Sequence, residues 1–171
     1  VAKMGEYRIA AVVLTRAVPD VIVSMRDFWE ARYRETGEVT TRMMITEFGA
    51  CPRSYFESTE SEQIDHLITF FAAPLMKFAA SWQWQAARLW QRPYFLTYSE
   101  LFSDPEKSLS AVAAHLDCKV VPERLSAAAH RKDGVRFNVG QTGRGRQKLS
   151  GAQIARLEDM ARRLDCPTIV V

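Results

Sequence analysis

The chain has 171 residues, of which 47% are apolar and 25% are charged, and its formal net charge is +3. This length suits one domain that buries a core, and these fractions are those of a globular protein. The small positive charge favours anionic ligands but falls far short of the charge of a typical nucleic-acid-binding protein.

Other features of the sequence narrow the class of protein further. No apolar run reaches the ~18 residues of a membrane span, and the N-terminus shows no signal-peptide pattern, so we expect a cytoplasmic protein without a membrane span. The three cysteines, Cys51, Cys118 and Cys166, have no paired C-x-x-C spacing. We therefore expect neither a disulfide framework nor a metal site.

Residues 7–34 predict a strand followed by a helix. The apolar run at residues 9–14 is typical of a strand buried on both faces. Pro19 suits the first turn of a helix, and apolar residues then recur at helical spacing. Arg16 should thus end a strand, and Ser24 should lie in the first turns of the next helix. Parallel sheets bind ligands at this position, where helix amides and a guanidinium suit a phosphate.

The next stretch is harder to interpret. Residues 36–59 have no steady period and predict a long irregular connection with room for one short helix. A helical pattern resumes at Glu60 and is interrupted at Pro74, which predicts two helices or one helix kinked at the proline. The tryptophans that follow are typical of packing rather than of ligand contact.

The C-terminal half predicts one more strand and several helices. Residues 94–98 indicate a second short buried strand, and residues 106–116 and 122–132 have helical patterns. Ser150 is placed to cap a clear amphipathic helix that continues to Leu164, and residues 168–171 suit a small strand.

Between these last helices lies a glycine-rich basic segment, residues 135–146. Its glycines at positions 140, 143 and 145 allow positive φ and close approach of the backbone to a ligand. Its arginines supply charge for a phosphate. The three histidines have no ligand spacing, and the sequence contains no G-x-x-x-x-G-K-[ST] motif and no defensible Ser–His–Asp arrangement.

Two segments carry a resemblance to a known family. They read R-A-V-P-D-V-I-V-S-M-R-D-F from Arg16 and R-P-Y-F-L-T-Y-S-E-L-F-S-D-P from Arg92. They resemble the R-x-P-x-D-x-x-x-S and Y-E-D-L…D-P segments of sulfotransferases that use 3′-phosphoadenosine 5′-phosphosulfate (PAPS). The resemblance implies that Arg16 and Ser24 hold the 3′-phosphate of the nucleotide and that Tyr98 contacts its adenine end.

The glycine-rich segment is similar to the R-K-G-x-x-G-x-W loop of the same family, which closes over the 3′-phosphate. Gly140 and Gly143 fall on the two family glycines, whereas Asn138 and Val139 replace the Arg-Lys pair and Gly145 replaces the tryptophan. The charge would then come from a shifted arginine. The nucleotide contacts implied in this segment are Arg136, Asn138, Gly140 and Arg144.

The resemblance covers nearly the whole chain and implies an α/β fold. This would be a helix-rich, P-loop-NTPase-like three-layer sulfotransferase fold around a parallel sheet, incomplete at its N-terminus, with residues 1–171 as one partial domain. It implies PAPS as donor, adenosine 3′,5′-bisphosphate as product, no metal, and a hydroxyl or amine acceptor. The family's P-K-[ST]-G-[ST]-T loop and its general base would lie before Val1. The catalytic residues are therefore unknown, and whether this chain is itself an enzyme is left open.

Two other classes of function stay open. One is a non-catalytic protein that binds 3′-phosphoadenosine nucleotides, and the other is a nucleic-acid-binding module that uses the basic segment. Nucleotide affinity without transfer would favour the first, and a steep salt dependence of oligonucleotide binding would favour the second. We expect a nucleotide and an acceptor as ligands and no nucleic acid. We also expect self-association, because a sheet without its phosphosulfate strand has an open edge.

Overall fold

The computed structural model describes residues 9–48, 54–119, 121 and 141–166. It shows a helix-rich α/β arrangement with a small parallel sheet of two strands. The chain divides into two compact units. The strand unit lies within Val1–Arg16 and Phe78–Gly140, and the helical unit lies within Ala17–Lys77 and Gln141–Val171. The assignment of residues 1–171 to a single domain stays a prediction.

The strand unit is built on two short parallel strands. Strand β1 (Val12–Thr15) pairs with β2 (Tyr94–Thr97), and Val12 lies opposite Tyr94 in the register. The prediction of parallel strands in these two segments is confirmed, although β1 begins three residues later than expected. Helices α5 (Tyr98–Ser103) and α6 (Pro105–His115) follow β2 and pack against it.

The prediction that these strands are buried on both faces is wrong. Val13 and Leu96 are buried, but Val12 and Phe95 are exposed, and Leu14 has 51% of its surface exposed. An apolar run reports the type of each residue, whereas burial depends on the neighbours of the strand. In the part of the chain that the structure describes, the sheet consists of these two strands, and one side chain in each strand, Val13 and Leu96, is buried.

Side chains from outside the sheet hold the start of β1. The indole of Trp90 donates to the carbonyl of Ile9 at 3.2 Å. The carbonyl of Ala11 accepts from the amide of Tyr94 at 3.0 Å, and Nε2 of His115 lies 3.2 Å from the same oxygen. Because a carbonyl only accepts, the ring must donate through Nε2 in this hydrogen bond. His115 thus contacts the start of β1 through its ring.

The helical unit is organised around α1 (Val18–Thr36), which begins with Pro19 in its first turn as predicted. Helix α1 packs against α2 (Glu38–Phe48), α3 (Glu60–Leu67), α7 (Arg144–Lys148) and α8 (Gly151–Arg163). Ser150 caps α8 through its hydroxyl, as expected. The core of this unit consists of buried apolar residues, including Val18, Ile22, Val23, Trp29, Met44, Tyr55, Ile64, Leu67, Ile68, Leu149 and Leu157.

The connection between residues 36 and 59 is more regular than predicted. Helix α2 has 11 residues, and Tyr55–Glu57 adds a turn of 3₁₀-helix. Thr40 and Met44 are buried one turn apart, and the hydroxyl of Thr40 shares a 2.5 Å hydrogen bond with that of Thr36. The pattern was hidden because a buried threonine reads as polar in the sequence, although its hydroxyl is satisfied here.

The helical run around Pro74 keeps its continuity by changing its hydrogen-bond pattern. Helix α3 leads directly into a π-helical segment, Ile68–Ala72, and then into α4 (Ala73–Gln85). A proline inside a helix cannot donate its backbone hydrogen bond, and π segments are a usual way to accommodate such a break. The sequence predicted the place of this irregularity but not its form. A short 3₁₀ turn, Ala86–Arg88, ends the run.

Several sequence predictions lie outside the described residues. These are the helix at residues 122–132, the strand at residues 168–171 and the surroundings of Cys51. Among the described residues, no helix combines the length and the apolar character needed to cross a membrane. The same residues contain no group of three or more metal-ligating His, Cys, Asp or Glu side chains.

Candidate functional site

The strand unit brings together two residues that the sequence analysis selected from distant segments. Arg16 directly follows β1, and Tyr98 directly follows β2. The guanidinium carbon of Arg16 lies 4.2 Å from the centroid of the Tyr98 ring, in cation–π geometry. Because the two strands are parallel and adjacent, their carboxyl ends meet at one edge of the sheet. The residues that follow them are therefore neighbours.

A helix cap fixes the position of Tyr98. The hydroxyl of Thr97 accepts from the amide of Glu100 at 3.1 Å, and the Glu100 carboxylate accepts from the amide of Thr97 at 2.8 Å. Hydrogen bonds from the Thr97 amide and then from its hydroxyl lower the pKa of the Glu100 carboxyl. On the same helix, the ring of Phe102 lies 4.3 Å from that of Tyr98. The aromatic ring beside Arg16 thus stands at a capped helix start.

The edge formed by Arg16 and Tyr98 combines two kinds of recognition. A guanidinium held over a ring presents its N–H donors in a fixed plane, which suits the oxygens of a phosphate. An aromatic side chain can in addition stack on a planar base. Both residues are half-buried, so they keep solvent-accessible surface.

Ser24, the partner of Arg16 in the sequence prediction, lies in the other unit. It belongs to α1 and is half-buried. The pairing of Arg16 and Ser24 on one phosphate stays a prediction. Of the glycine-rich contacts, Arg136, Asn138 and Gly140 lie outside the described residues.

The helical unit shows a contact that the sequence analysis missed. Asp20 lies in the first turn of α1, and only 4% of the surface of this residue is exposed. Its two oxygens accept hydrogen bonds from the backbone amides of Gly143, at 2.8 Å, and Gly145, at 2.6 Å. Asp20 therefore joins the end of the glycine-rich segment to the start of α1.

The two glycines of this contact are needed for different reasons. Gly143 has a φ of 79°, a left-handed conformation that other residues adopt only at a cost. Gly145 is buried, and a Cβ at this position would collide with the backbone carbon of Pro19 and lie 2.5 Å from the amide nitrogen of Asp20. The sequence predicted a positive φ and a close backbone approach for this segment. At Gly145 the close approach is to the chain itself.

Arg144, a predicted phosphate contact, is engaged in an ion pair. Its guanidinium lies 2.6 Å from the carboxylate of Asp27, and its side chain is 16% exposed. Partial burial alone would raise the pKa of the Asp27 carboxyl, but hydrogen bonds from Arg144 and Arg26 and the charge of Lys148 lower it overall. Lys148 in turn lies 2.9 Å from Glu60. Contact of Arg144 with a phosphate stays a prediction, and in this structure its partner is a carboxylate.

Asp20 and Asp27 stand within the segment quoted for the resemblance, but the sequence analysis gave neither of them a role. An aspartate in the first turn of a helix is common, because it offsets the helix dipole and needs no distant partner. Two signals were available: Asp20 falls on the aspartate of the R-x-P-x-D-x-x-x-S pattern, and in the Gly-Arg-Gly sequence at residues 143–145 a buried glycine implies a backbone neighbour in close contact.

Comparison of the chain with protein-family models, with curated proteins and with solved structures finds no match in any of the three. Its function therefore has to be inferred from its own residues.

Proposed function

We propose that this chain binds an adenine nucleotide that carries a 3′-phosphate, as PAPS-dependent sulfotransferases do. The observation that carries the proposal is the contact between Arg16 and Tyr98. The resemblance selected these residues from separate segments as the phosphate and adenine contacts. In the strand unit they are neighbours at the carboxyl edge of a parallel sheet, where open α/β sheets bind ligands.

In this proposal each residue has a distinct task. The Arg16 guanidinium pairs with the 3′-phosphate by charge-assisted hydrogen bonds, and Ser24 adds a hydroxyl to the same phosphate. The Tyr98 ring orients the guanidinium and packs beside the adenosine. The full fold would then be the P-loop-like three-layer fold of sulfotransferases, of which the parallel pair β1 and β2 is the part that the structure supports.

The chemistry of the complete enzyme would be transfer of a sulfuryl group from PAPS to a hydroxyl or amine. In that family a lysine stabilises the leaving bridging oxygen, and a histidine or glutamate deprotonates the acceptor. The 171 residues contain no P-K-[ST]-G-[ST]-T loop to provide the lysine. We therefore expect no sulfuryl transfer by this chain alone. Transfer from labelled PAPS that a point substitution in this chain abolishes would contradict that expectation.

Calorimetry with two nucleotides tests the proposed function. Adenosine 3′,5′-bisphosphate should bind more tightly than adenosine 5′-monophosphate, which lacks the 3′-phosphate. A charge-assisted contact contributes roughly 1.5–3 kcal/mol, so Arg16→Ala should weaken bisphosphate binding about tenfold or more.

A matched control is Arg42→Ala. Arg42 lies in the helical unit, its side chain is 79% exposed, and it pairs with Glu38 on the same helix. This substitution removes the same charge and should leave the affinity unchanged. Equal affinity of the wild type and Arg16→Ala for the bisphosphate would refute the assignment.

A non-catalytic nucleotide-binding protein would give the same binding result. Only an assay of sulfuryl transfer distinguishes such a protein from an enzyme. The nucleic-acid-binding alternative is less well supported. Arg144, one of the arginines on which it depends, is largely buried against Asp27.

A further inference from the structure

We propose that Asp20 is a positioning residue, whose buried carboxylate anchors the C-terminal end of the glycine-rich segment to helix α1. The anchor itself follows from the geometry of the helical unit. Its consequence for nucleotide affinity rests on the proposed function, because the predicted contacts Arg136, Asn138 and Gly140 immediately precede the anchored residues in the sequence.

The first argument is the missing cap of helix α7. The first amides of a helix have no acceptor within the helix, and a side chain at the N-cap usually supplies one. The N-cap of α7 is Gly143, which has no side chain and gives no side-chain cap. Asp20 supplies this acceptor from α1, with one oxygen for the amide of Gly143 and the other for that of Gly145. The contact thus replaces a local cap by a long-range one.

The second argument is the chemistry of the acceptor. Two N–H donors converge on a side chain that is almost completely buried. An ionised carboxylate has two accepting oxygens and satisfies both donors. An asparagine in the same place would turn an NH₂ group toward one of the amides and deprive that donor of its acceptor, and the amide of Gly145 is buried. The site therefore requires the two accepting oxygens of a carboxylate, which an amide side chain of similar size and shape does not provide.

The third argument is that other contacts of α7 also hold the end of the glycine-rich segment against the helical unit. The absence of a Cβ at Gly145 lets the backbone of α7 reach that of Pro19 and Asp20. Arg144 then pairs with Asp27 two turns further along α1, and Lys148 pairs with Glu60 at the start of α3. Asp20 and Asp27 thus both hold residues of the glycine-rich segment, and of these residues Gly143, held by Asp20, comes first in the sequence.

The test compares wild type with Asp20→Asn by amide hydrogen exchange. We expect exchange at Gly143 and Gly145 to become at least about tenfold faster, since each amide loses a charge-assisted hydrogen bond or its alignment. Amides in the middle of α1 and α8 should keep their protection. Unchanged exchange at the two glycines would overturn the proposal. Equal acceleration throughout the helical unit would also overturn it, because Asp20 would then contribute only to general stability.

Calorimetry on the same proteins tests the consequence for the ligand. The Asp20→Asn variant should lose part of the preference for adenosine 3′,5′-bisphosphate over the 5′-monophosphate, because Arg16 and Ser24 are unchanged, whereas its affinity for the monophosphate should change little. Local acceleration of exchange with an unchanged preference would overturn the positioning of the nucleotide contacts. A wild type without any preference would instead refute the proposed function, and the exchange experiment would still decide on the anchor.

A second pair of variants covers the case in which Asp20→Asn does not fold. Gly143→Ala strains the same contact from the other side, because φ is 79° while the space for a Cβ is open. Gly37→Ala is its control, with φ of 54° and equally open space, at the end of α1. Both should lose stability, Gly37→Ala the more because its ψ of −127° lies outside the left-handed helical region, but only Gly143→Ala should accelerate exchange at Gly145. The same response in both variants would overturn the proposal.

Discussion

The guanidinium carbon of Arg16 lies 4.2 Å from the centroid of the Tyr98 ring, which joins the ends of two parallel strands. The contact places a permanent positive charge beside an aromatic face at the edge of the sheet where ligands of α/β proteins bind. It therefore has a measurable energy as well as a proposed function, and the two can be tested separately.

The energy of this contact is open to a double-mutant cycle. We expect Arg16→Ala and Tyr98→Leu to be non-additive, with a coupling of about 0.5–2 kcal/mol, the range of cation–π pairs from exposed to desolvated sites. Tyr98→Phe should keep most of the coupling because it retains the ring. Urea unfolding of the single and double variants measures these terms. Strictly additive losses would show that the two side chains are adjacent without stabilising one another.

The packing of Gly145 gives a prediction about stability. Gly145→Ala places a methyl group against the backbone of Pro19 and Asp20, and neither neighbour can move without shifting the first turn of α1. We expect a loss of ~1–3 kcal/mol, the usual cost of overpacking. Gly151→Ala is the matched control, since a Cβ there meets nothing within 4 Å and helix α8 begins at this residue. Equal stability of the two variants in thermal unfolding would contradict the close approach.

The ion pair of Asp27 gives a prediction about acid. The pKa of this carboxyl is lowered from its ordinary 3.8 in the folded protein, so the unfolded chain takes up the proton first as the pH falls. The stabilisation is thus complete well above pH 3.8 and is lost as the pH falls through the folded pKa. We expect Asp27→Asn to be less stable than wild type at neutral pH and to lose less further stability in acid.

Unfolding curves at a series of pH values check this. Asp159→Asn is a suitable control, because its ion pairs with Arg162 and Arg163 lie on the surface and such pairs contribute little. A wild type and an Asp27→Asn variant with parallel stability curves between neutral and acid pH would contradict the lowered pKa.

The exposed apolar surface of β1 gives a prediction about association. Leu14 is 51% exposed on a strand that has one pairing partner among the described residues, and such edges favour pairing with a second chain. We expect self-association at micromolar concentration, and Leu14→Lys should shift the protein toward the monomer. Val39→Lys on α2, where the native side chain is 57% exposed, is the control. A monodisperse wild-type monomer in light scattering would contradict the prediction.

The sequence predicted the parts of the structure that depend on residue type and spacing. Apolar runs located both strands, and the apolar character of these runs, together with the family resemblance, correctly indicated a parallel sheet. The burial of the strands was predicted incorrectly because it depends on what covers them. Helix α2 was mostly missed because Thr40 is buried with a satisfied hydroxyl.

The contact of Asp20 with Gly143 and Gly145 shows a different limit of sequence reasoning. An aspartate that caps its own helix and one that caps a distant helix have the same local sequence. Only the backbone separation, set by the packing of α7 on α1, distinguishes the two cases. The sequence could indicate that Gly145 approaches something closely, but it could not indicate what that is.

The π-helical segment before Pro74 also has a consequence for the tolerance of the chain to insertions and deletions. Ile64, Ile68, Ala72 and Met76 are all buried and follow one another at a constant interval of four residues. In a regular α-helix each such step rotates the side chain by about 40° around the axis, and three steps would carry Met76 out of line with Ile64. The wider turn at Ile68–Ala72 absorbs this rotation. Removing one residue from that turn should restore regular α-helical bonding and still leave Met76 on the core side, because it would then follow Ile64 by 11 residues, about three full α-helical turns.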